Sequence, residues 1–381
     1  MIDAEDFITV ASSLGYDSYT GVPCSFLTPF INYVLNNNTL SYIGSANEGD
    51  AVATAAGMVI GGKKTIVMLQ NSGLGNAVNP ITSLLHTFKL PVLLIITLRG
   101  DPQLNDEPQH ELMGKITEQM LDLMDIAWDY FPDKAKNIRG AFDSACEHMT
   151  STHKPYAFVM KKGSVKNETL SETKHFNDRD KNSICHVTDN LSNKLKTRAE
   201  ILNELQTTIN SDDTVLLAST GFTGRELYAL DDKPNQLYMV GSMGCASSLG
   251  LGLSMAQPCK KIIVIEGDGA AIMRMGNIAT VGEYGGNNYL HVILDNEIHD
   301  STGGQSTVSA GVNFAMISQA CGYPASYYGS DPALISKLLN ENQTIGPRML
   351  HLKIKPGTMK DIPRPKELPH QVVRRLMDYL G

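Results

Sequence analysis

Apolar runs of four to nine residues recur along the chain, most of them ending in glycine or a polar turn that leads into a stretch with helical spacing. Residues 65–69, 90–98, 156–160, 214–218, 237–240, 262–265, 289–294 and 349–354 are too short for helices and read as buried strands. Between them lie helical patterns. Phe7, Ile8, Ala11 and Leu14 mark a first helix over 4–14, and others are expected over 51–58, 134–149 and 371–379. Thr197-Arg198-Ala199-Glu200 is a capping box that opens one more. Strands alternating with helices predict an α/β fold of parallel sheets with helices on both faces. The alternation lapses over 161–196, which is polar and aperiodic and reads as a linker. The expected organisation is therefore a domain over 1–165, a linker over 166–196 and a second domain over 197–381. A chain of 381 residues suits two domains, each able to bury a core.

The stretch with most chemistry runs from Ile262 to Asn296. An apolar run ends in Glu266-Gly267-Asp268-Gly269-Ala270, a helical segment follows, and a second apolar run ends in Asp295-Asn296. Asn296 lies 28 residues after Asp268, the length of one strand–helix–strand unit. In an open parallel sheet ligands bind outside the carboxyl ends of the strands, so Asp268 and Asn296 are expected at one edge, sharing a cation. A carboxylate, an amide oxygen, a backbone carbonyl and phosphate oxygens suit Mg2+. Gly267 and Gly269 clear side chains from the path of a phosphate, and the following helix offers it free N–H groups. Two other turns, Ser219-Thr220-Gly221 and Gly241-Ser242-Met243-Gly244, end strands of the same half and are expected to complete a diphosphate cradle.

Composition narrows the partners. Net charge is −8 and no basic run exists, which excludes nucleic acid as the expected partner, so an anionic substrate needs local positive groups. No apolar run reaches membrane-spanning length. The acidic start, Met1-Ile2-Asp3-Ala4-Glu5-Asp6, lacks the basic region of a signal peptide, and six cysteines show no Cys-x-x-Cys pair. The expectation is a cytoplasmic protein with reduced thiols. In the first half, Asn71-Ser72-Gly73-Leu74-Gly75-Asn76 is a Gly-rich turn without the Lys-Ser/Thr of a P-loop. Cys24 reads as a small buried residue. Glu48 precedes an Ala-rich helix, and by itself is a first-turn acid favoured by the helix dipole.

These residues together resemble the thiamine diphosphate-dependent 2-oxoacid decarboxylases, in the two-domain form that acts on phosphonopyruvate, with sulfopyruvate as the alternative substrate. The resemblance rests on Gly21-Val22-Pro23, Ala46-Asn47-Glu48, Asp106-Glu107-Pro108-Gln109-His110, Gly241-Ser242-Met243-Gly244, the 267–269 turn with Asn296, and His299-Asp300-Ser301-Thr302-Gly303-Gly304-Gln305. It covers nearly the whole chain, with a pyrimidine-binding half before a diphosphate-binding half and no middle domain. One departure is Asp295, where the family carries a first Asn.

The resemblance implies thiamine diphosphate and Mg2+ as cofactors, with Asp268, Asn296 and the carbonyl of Ile298 on the metal. It makes Glu48 the acid that shares a proton with the aminopyrimidine ring, and Met243 the apolar support of the bent cofactor. The thiazolium would accept the electrons released as CO2 leaves, giving phosphonoacetaldehyde from phosphonopyruvate, within the biosynthesis of phosphonates such as 2-aminoethylphosphonate. Arg99, His110, Ser25 and the 299–302 stretch are the candidates for substrate contact, Ser25 and His110 joining Glu48 as the expected catalytic set. The loop over 299–305 reads as mobile. Because the cofactor's two ends are held by different halves, the active species is expected to be a homo-oligomer, a dimer at least, with its sites at the subunit interface. Rival readings are an acetolactate-type ligase and a non-catalytic nucleotide-binding α/β protein.

Overall fold

Each apolar run becomes a strand, and the strands are parallel because helices intervene. The computed structural model describes residues 1–171, 183–187, 194–341 and 345–381. The chain divides into two compact units, Met1–His175 and Phe176–Gly381. The first holds β1 (Tyr16–Gly21), β2 (Ser41–Gly44), β3 (Lys64–Gln70), β4 (Leu93–Thr97), β5 (Ala127–Tyr130) and β6 (Tyr156–Met160). They form one sheet in the order β2-β1-β3-β4-β6-β5, parallel throughout. The second holds β7 (Ile184–Val187), β8 (Thr214–Ala218), β9 (Gln236–Tyr238), β10 (Lys261–Gly267), β11 (Tyr289–Asp295), β12 (Ile298–His299), β13 (Gln305–Ser306), β14 (Ala325–Gly329) and β15 (Arg348–Lys353). Its main sheet runs β7-β14-β15-β11-β10-β8-β9, again parallel, while β12 and β13 form a small antiparallel ribbon.

Strands β4, β6, β8, β11 and β15 are buried at every position. That pattern requires cover on both faces, the expected arrangement for a parallel sheet. In the first unit β1 leads outward to β2, then the chain returns to the far side of β1 to make β3. The second unit does the same with β8, β9 and β10. At such a reversal the connections leave on opposite faces and open a crevice at the strands' carboxyl ends. The turns after β1 and β3, and those after β8 and β10, stand at these crevices.

The linker reading needs correction. Ile184–Val187, inside it, is an edge strand paired with β14. It escapes a periodicity reading because it is four residues long and mostly exposed. Residues 172–182 and 188–193 of the expected linker lie outside the described residues. The capping box forms as expected: Thr197 Oγ1 accepts from the Glu200 N–H at 3.3 Å, and Glu200 Oε2 accepts from the Thr197 N–H at 2.8 Å.

Candidate functional site

In the second unit the parallel pairing of β10 with β11 brings Asp268 and Asn296 to the same edge. Both line one pocket with Ser219, Thr220 and Gly221 from the turn after β8, Gly267, Gly269 and Ala270 from the turn after β10, and Met243. Gly241 and Ser242, expected in the cradle, do not line it. Their turn follows the edge strand β9 and only Met243 reaches in. The helix after Asp268 is six residues long, Asp268–Met273, so its dipole adds less than a full helix would. A Cβ at Gly269 would stand 2.4 Å from His299 Cε1, so glycine is what lets the His299 ring close over this turn.

Asp268 is 2% exposed. Its Oδ2 accepts from Thr307 Oγ1, and among the described residues it has no ion-pair partner. Burial pushes its pKa above the usual carboxylate value, against the Thr307 hydrogen bond and with the nearby charge of Asp295. A buried carboxylate lacking a counter-charge is unstable unless a cation joins it.

The 299–305 loop is not a free loop. It folds back as the β12–β13 ribbon around a turn at Asp300–Thr302, and Asp300 is anchored by an ion pair with Arg198. Asp300 Oδ2 also accepts from Asn296 Nδ2 at 2.6 Å, which orients the Asn296 amide. Arg198 sits in the capping box and is 6% exposed; it also lies 3.5 Å from the buried Glu226. Nothing in the sequence signals a partner for Arg198 one hundred residues away.

In the first unit Glu48 is the first residue of the helix Glu48–Ile60, capped by Asn47. Its Oε2 accepts from Asn76 Nδ2 at 2.8 Å, and its carboxyl packs against the Cα of Gly73. The Gly-rich turn after β3 thus serves the carboxylate rather than a nucleotide. A second pocket of this unit is lined by Ser25, Phe26, Arg99, Asn105, Asp106, Glu107 and Lys162. Arg99 bonds Asp106 through two nitrogens, donates to Ser25 Oγ at 3.1 Å and lies over the Phe26 ring at 4.8 Å. The guanidinium holds the Asp106 carboxyl well below the usual range, and Asp106 in turn raises the Arg99 pKa. His110 does not line this pocket. It is buried, with Nδ1 lacking a hydrogen-bond partner among the described residues. Cys24 is buried against Thr97, as a small apolar residue would be. Asn76 and Lys162 were not singled out from sequence; only proximity in space marks them.

The residues fit the cofactor pair at both ends. An uncompensated buried carboxylate, an amide oxygen held in place and the backbone at Ile298 make an all-oxygen donor set for Mg2+. The glycine-lined turns after β8 and β10 leave room for a diphosphate. Glu48, held by one hydrogen bond, is a carboxyl able to meet a ring nitrogen.

Two family models match the chain: the N-terminal TPP binding domain of thiamine pyrophosphate enzymes over residues 3–124, and the C-terminal TPP binding domain over 220–350. The chain is 40% identical to a phosphonopyruvate decarboxylase of Streptomyces hygroscopicus over 380 residues, covering 100% of this chain and 94% of that protein. It is 39% identical to the phosphonopyruvate decarboxylase of Streptomyces viridochromogenes, covering 100% and 95%. Among solved structures it is similar to a benzoylformate decarboxylase of Polynucleobacter necessarius, with a TM-score of 0.72 at 12% identity, covering 94% of this chain and 100% of that one; at that identity the likeness concerns the fold.

Proposed function

We propose a division of labour among these residues from one premise: the chain belongs to the thiamine pyrophosphate enzymes and, among them, to the family of phosphonopyruvate decarboxylases. It is a carboxy-lyase that removes CO2 from phosphonopyruvate with the help of thiamine diphosphate, leaving phosphonoacetaldehyde. Identity of 40% along the whole chain carries that reading. When bound, the cofactor supplies an electron sink for the departing carboxylate's electrons.

Asp268, Asn296 and the Ile298 carbonyl would hold Mg2+, and the turns around Ser219–Gly221 and Gly267–Ala270 would take the diphosphate. Met243, which lines the same pocket, would give the bound cofactor an apolar support. Glu48 would present its carboxyl to the aminopyrimidine ring of a bound cofactor, and Asn76 keeps that carboxyl from swinging away. Arg99 and Ser25, with Lys162 lining their pocket, would receive the substrate's anionic end. Arg99 suits that task because Asp106 fixes its plane while one nitrogen still faces Ser25. His110 has a lesser part, since it is buried and does not line that pocket. Glu48 and the Asp268–Asn296 pair act on one cofactor from different protomers, so the working species is a dimer or larger. The six free cysteines suit a cytoplasmic setting, and the product suits phosphonate biosynthesis.

The test is product analysis on the purified protein. Phosphonopyruvate should release CO2 and an aldehyde only when thiamine diphosphate and Mg2+ are both present. Faster turnover of sulfopyruvate would reassign the substrate, an acetohydroxy acid product would point to a ligase, and no CO2 from either acid would end the proposal.

A further inference from the structure

The turn that carries Asn296 and Ile298 is held from behind by a cation that does not line the pocket. Lys353 closes β15 opposite Asp295, its register partner at the end of β11. Its ammonium donates at 2.7 Å to Asp295 Oδ2 and at 2.7 Å to Glu297 Oε1. One cation therefore grips the residues immediately before and after Asn296.

Asp295 is fully buried, and its remaining contacts fill its acceptor capacity. Oδ2 also accepts from His351 Nε2 at 2.8 Å; Oδ1 accepts from Ser309 Oγ at 2.8 Å and from the Glu297 N–H at 3.0 Å. His351 makes its bond as a neutral imidazole, because its Nδ1 accepts the Phe314 N–H at 3.3 Å. That leaves Lys353 as the charge opposing Asp295. The same carboxylate reaches the other side of the pocket, since Ser309 Oγ lies 2.9 Å from Thr307 Oγ1, the hydroxyl that bonds Asp268.

Glu297 has φ +65°, a left-handed conformation that side-chain-bearing residues adopt at a cost. Such a residue stays there only when its surroundings hold it. Its carboxylate is held by Lys353, and the reversal at this residue is what lets both Asn296 and Ile298 line one pocket.

We propose that Lys353 is a positioning residue for the divalent-cation site, tethering Asp295 and Glu297 so that the strained turn presents the oxygens of Asn296 and Ile298 together. The proposal rests on the reading of Asp268, Asn296 and Ile298 as cation ligands. It differs from a structural role in which Lys353 only neutralises a buried aspartate. Glu297 separates the two roles: its side chain is 49% exposed, and removing it leaves the Lys353–Asp295 pair intact.

The experiment titrates Mn2+ into the metal-free protein in the presence of thiamine diphosphate, counting free Mn2+ by electron paramagnetic resonance. Glu297→Ala should weaken Mn2+ binding about tenfold, the lower range for a supporting contact of a metal ligand, at unchanged melting temperature. Glu297→Gln, which still offers Lys353 an oxygen, should stay near wild type. Should the single variant Lys353→Met fail to fold with Asp295 left unopposed, the double variant Asp295→Asn/Lys353→Met removes both charges, keeps the fold and should show the same loss as Glu297→Ala. Wild-type affinity in Glu297→Ala or in the double variant overturns the tether. Asp268→Ala is the reference: if it loses Mn2+ while Glu297→Ala does not, only the tether fails, and if it binds Mn2+ normally the ligand reading fails and the tether with it.

Discussion

A single methyl group added at Gly73 should disable the enzyme without unfolding it. An added Cβ would stand 2.1 Å from Glu48 Oε1, 2.2 Å from its Cδ and 2.4 Å from its Cγ, where ordinary contact begins near 3.4 Å. The Glu48 carboxyl must therefore retreat by about 1 Å, a displacement that typically costs ~10²-fold in rate when it moves a reacting group. The stability terms partly cancel. Gly73 has φ −75° and ψ −9°, which alanine adopts freely, so the substitution gains about 0.4–1 kcal/mol from the unfolded chain. Loss of the Asn76–Glu48 hydrogen bond costs about 0.5–1.5 kcal/mol. The overlap reaches back to Glu48 Cγ, so the side chain must turn about its first torsion, a rotamer change that costs of order 0.5–1.5 kcal/mol if it leaves a staggered well. Gly73→Ala should thus melt within a few degrees of wild type, bind thiamine diphosphate normally, and lose about two orders of magnitude in kcat, measured by aldehyde formation at saturating phosphonopyruvate. The double variant Gly73→Ala/Glu48→Gln should be no slower than Glu48→Gln alone, because both act on one group. A Gly73→Ala enzyme within about threefold of wild-type kcat would refute the placement of Glu48 against this turn as the basis of its role.

Glu48→Gln should lower kcat by ~10²–10⁴-fold, the usual range for a positioned acid, while cofactor affinity measured by calorimetry changes little; equal losses in both would point to a binding role. Asp268→Ala should weaken Mg2+ and thiamine diphosphate together, and independent behaviour of the two ligands in the same titration would argue against a shared site. The Asp268 pKa is raised in the folded protein, so without a cation its effect on stability is absent below the unfolded value of about 3.9 and becomes a loss as pH rises through the folded value. Mg2+ should cancel that loss, so the Mg2+-induced rise in melting temperature should widen with pH across this window; a rise largest at the acid end would contradict it. Arg99→Lys should raise KM for phosphonopyruvate by about 10–100-fold with a smaller effect on kcat, since an ammonium cannot hold Asp106 bidentately and still direct a fixed nitrogen toward Ser25; an unchanged KM would remove Arg99 from the substrate pocket.

The fold was legible because a parallel sheet buried on both faces leaves runs such as Leu93–Thr97 and Tyr289–Asp295 that no other element explains. The meeting of Asp268 and Asn296 was legible for a related reason: with parallel strands, residues that end consecutive strands must share an edge, and these two do so. What escaped were features set by three-dimensional neighbours. Ile184–Val187 gains strand character from β14 rather than from its own composition. Arg198 is an ordinary first-turn residue until Asp300 is brought to it. Lys353 and His351 are two polar residues in an apolar strand, and their spacing of two shows that they share a face but not that Asp295 lies across from them. Of the motif at Gly241–Gly244, Met243 is the residue that lines the pocket, which its sequence alone does not single out.

The two strand orders have a consequence for how this polypeptide is put together. Read from β9, the second sheet runs β9-β8-β10-β11-β15-β14, which is the itinerary of the first sheet, β2-β1-β3-β4-β6-β5, repeated strand for strand, with β7 added at the rim. One scaffold is written twice in a single chain and given opposite duties. In the first copy the tip after its third strand yields space to an acid from a neighbouring helix; in the second the acid stands on that tip itself. Since each copy closes its own winding, the architecture asks for both copies but not for the peptide bond that joins them.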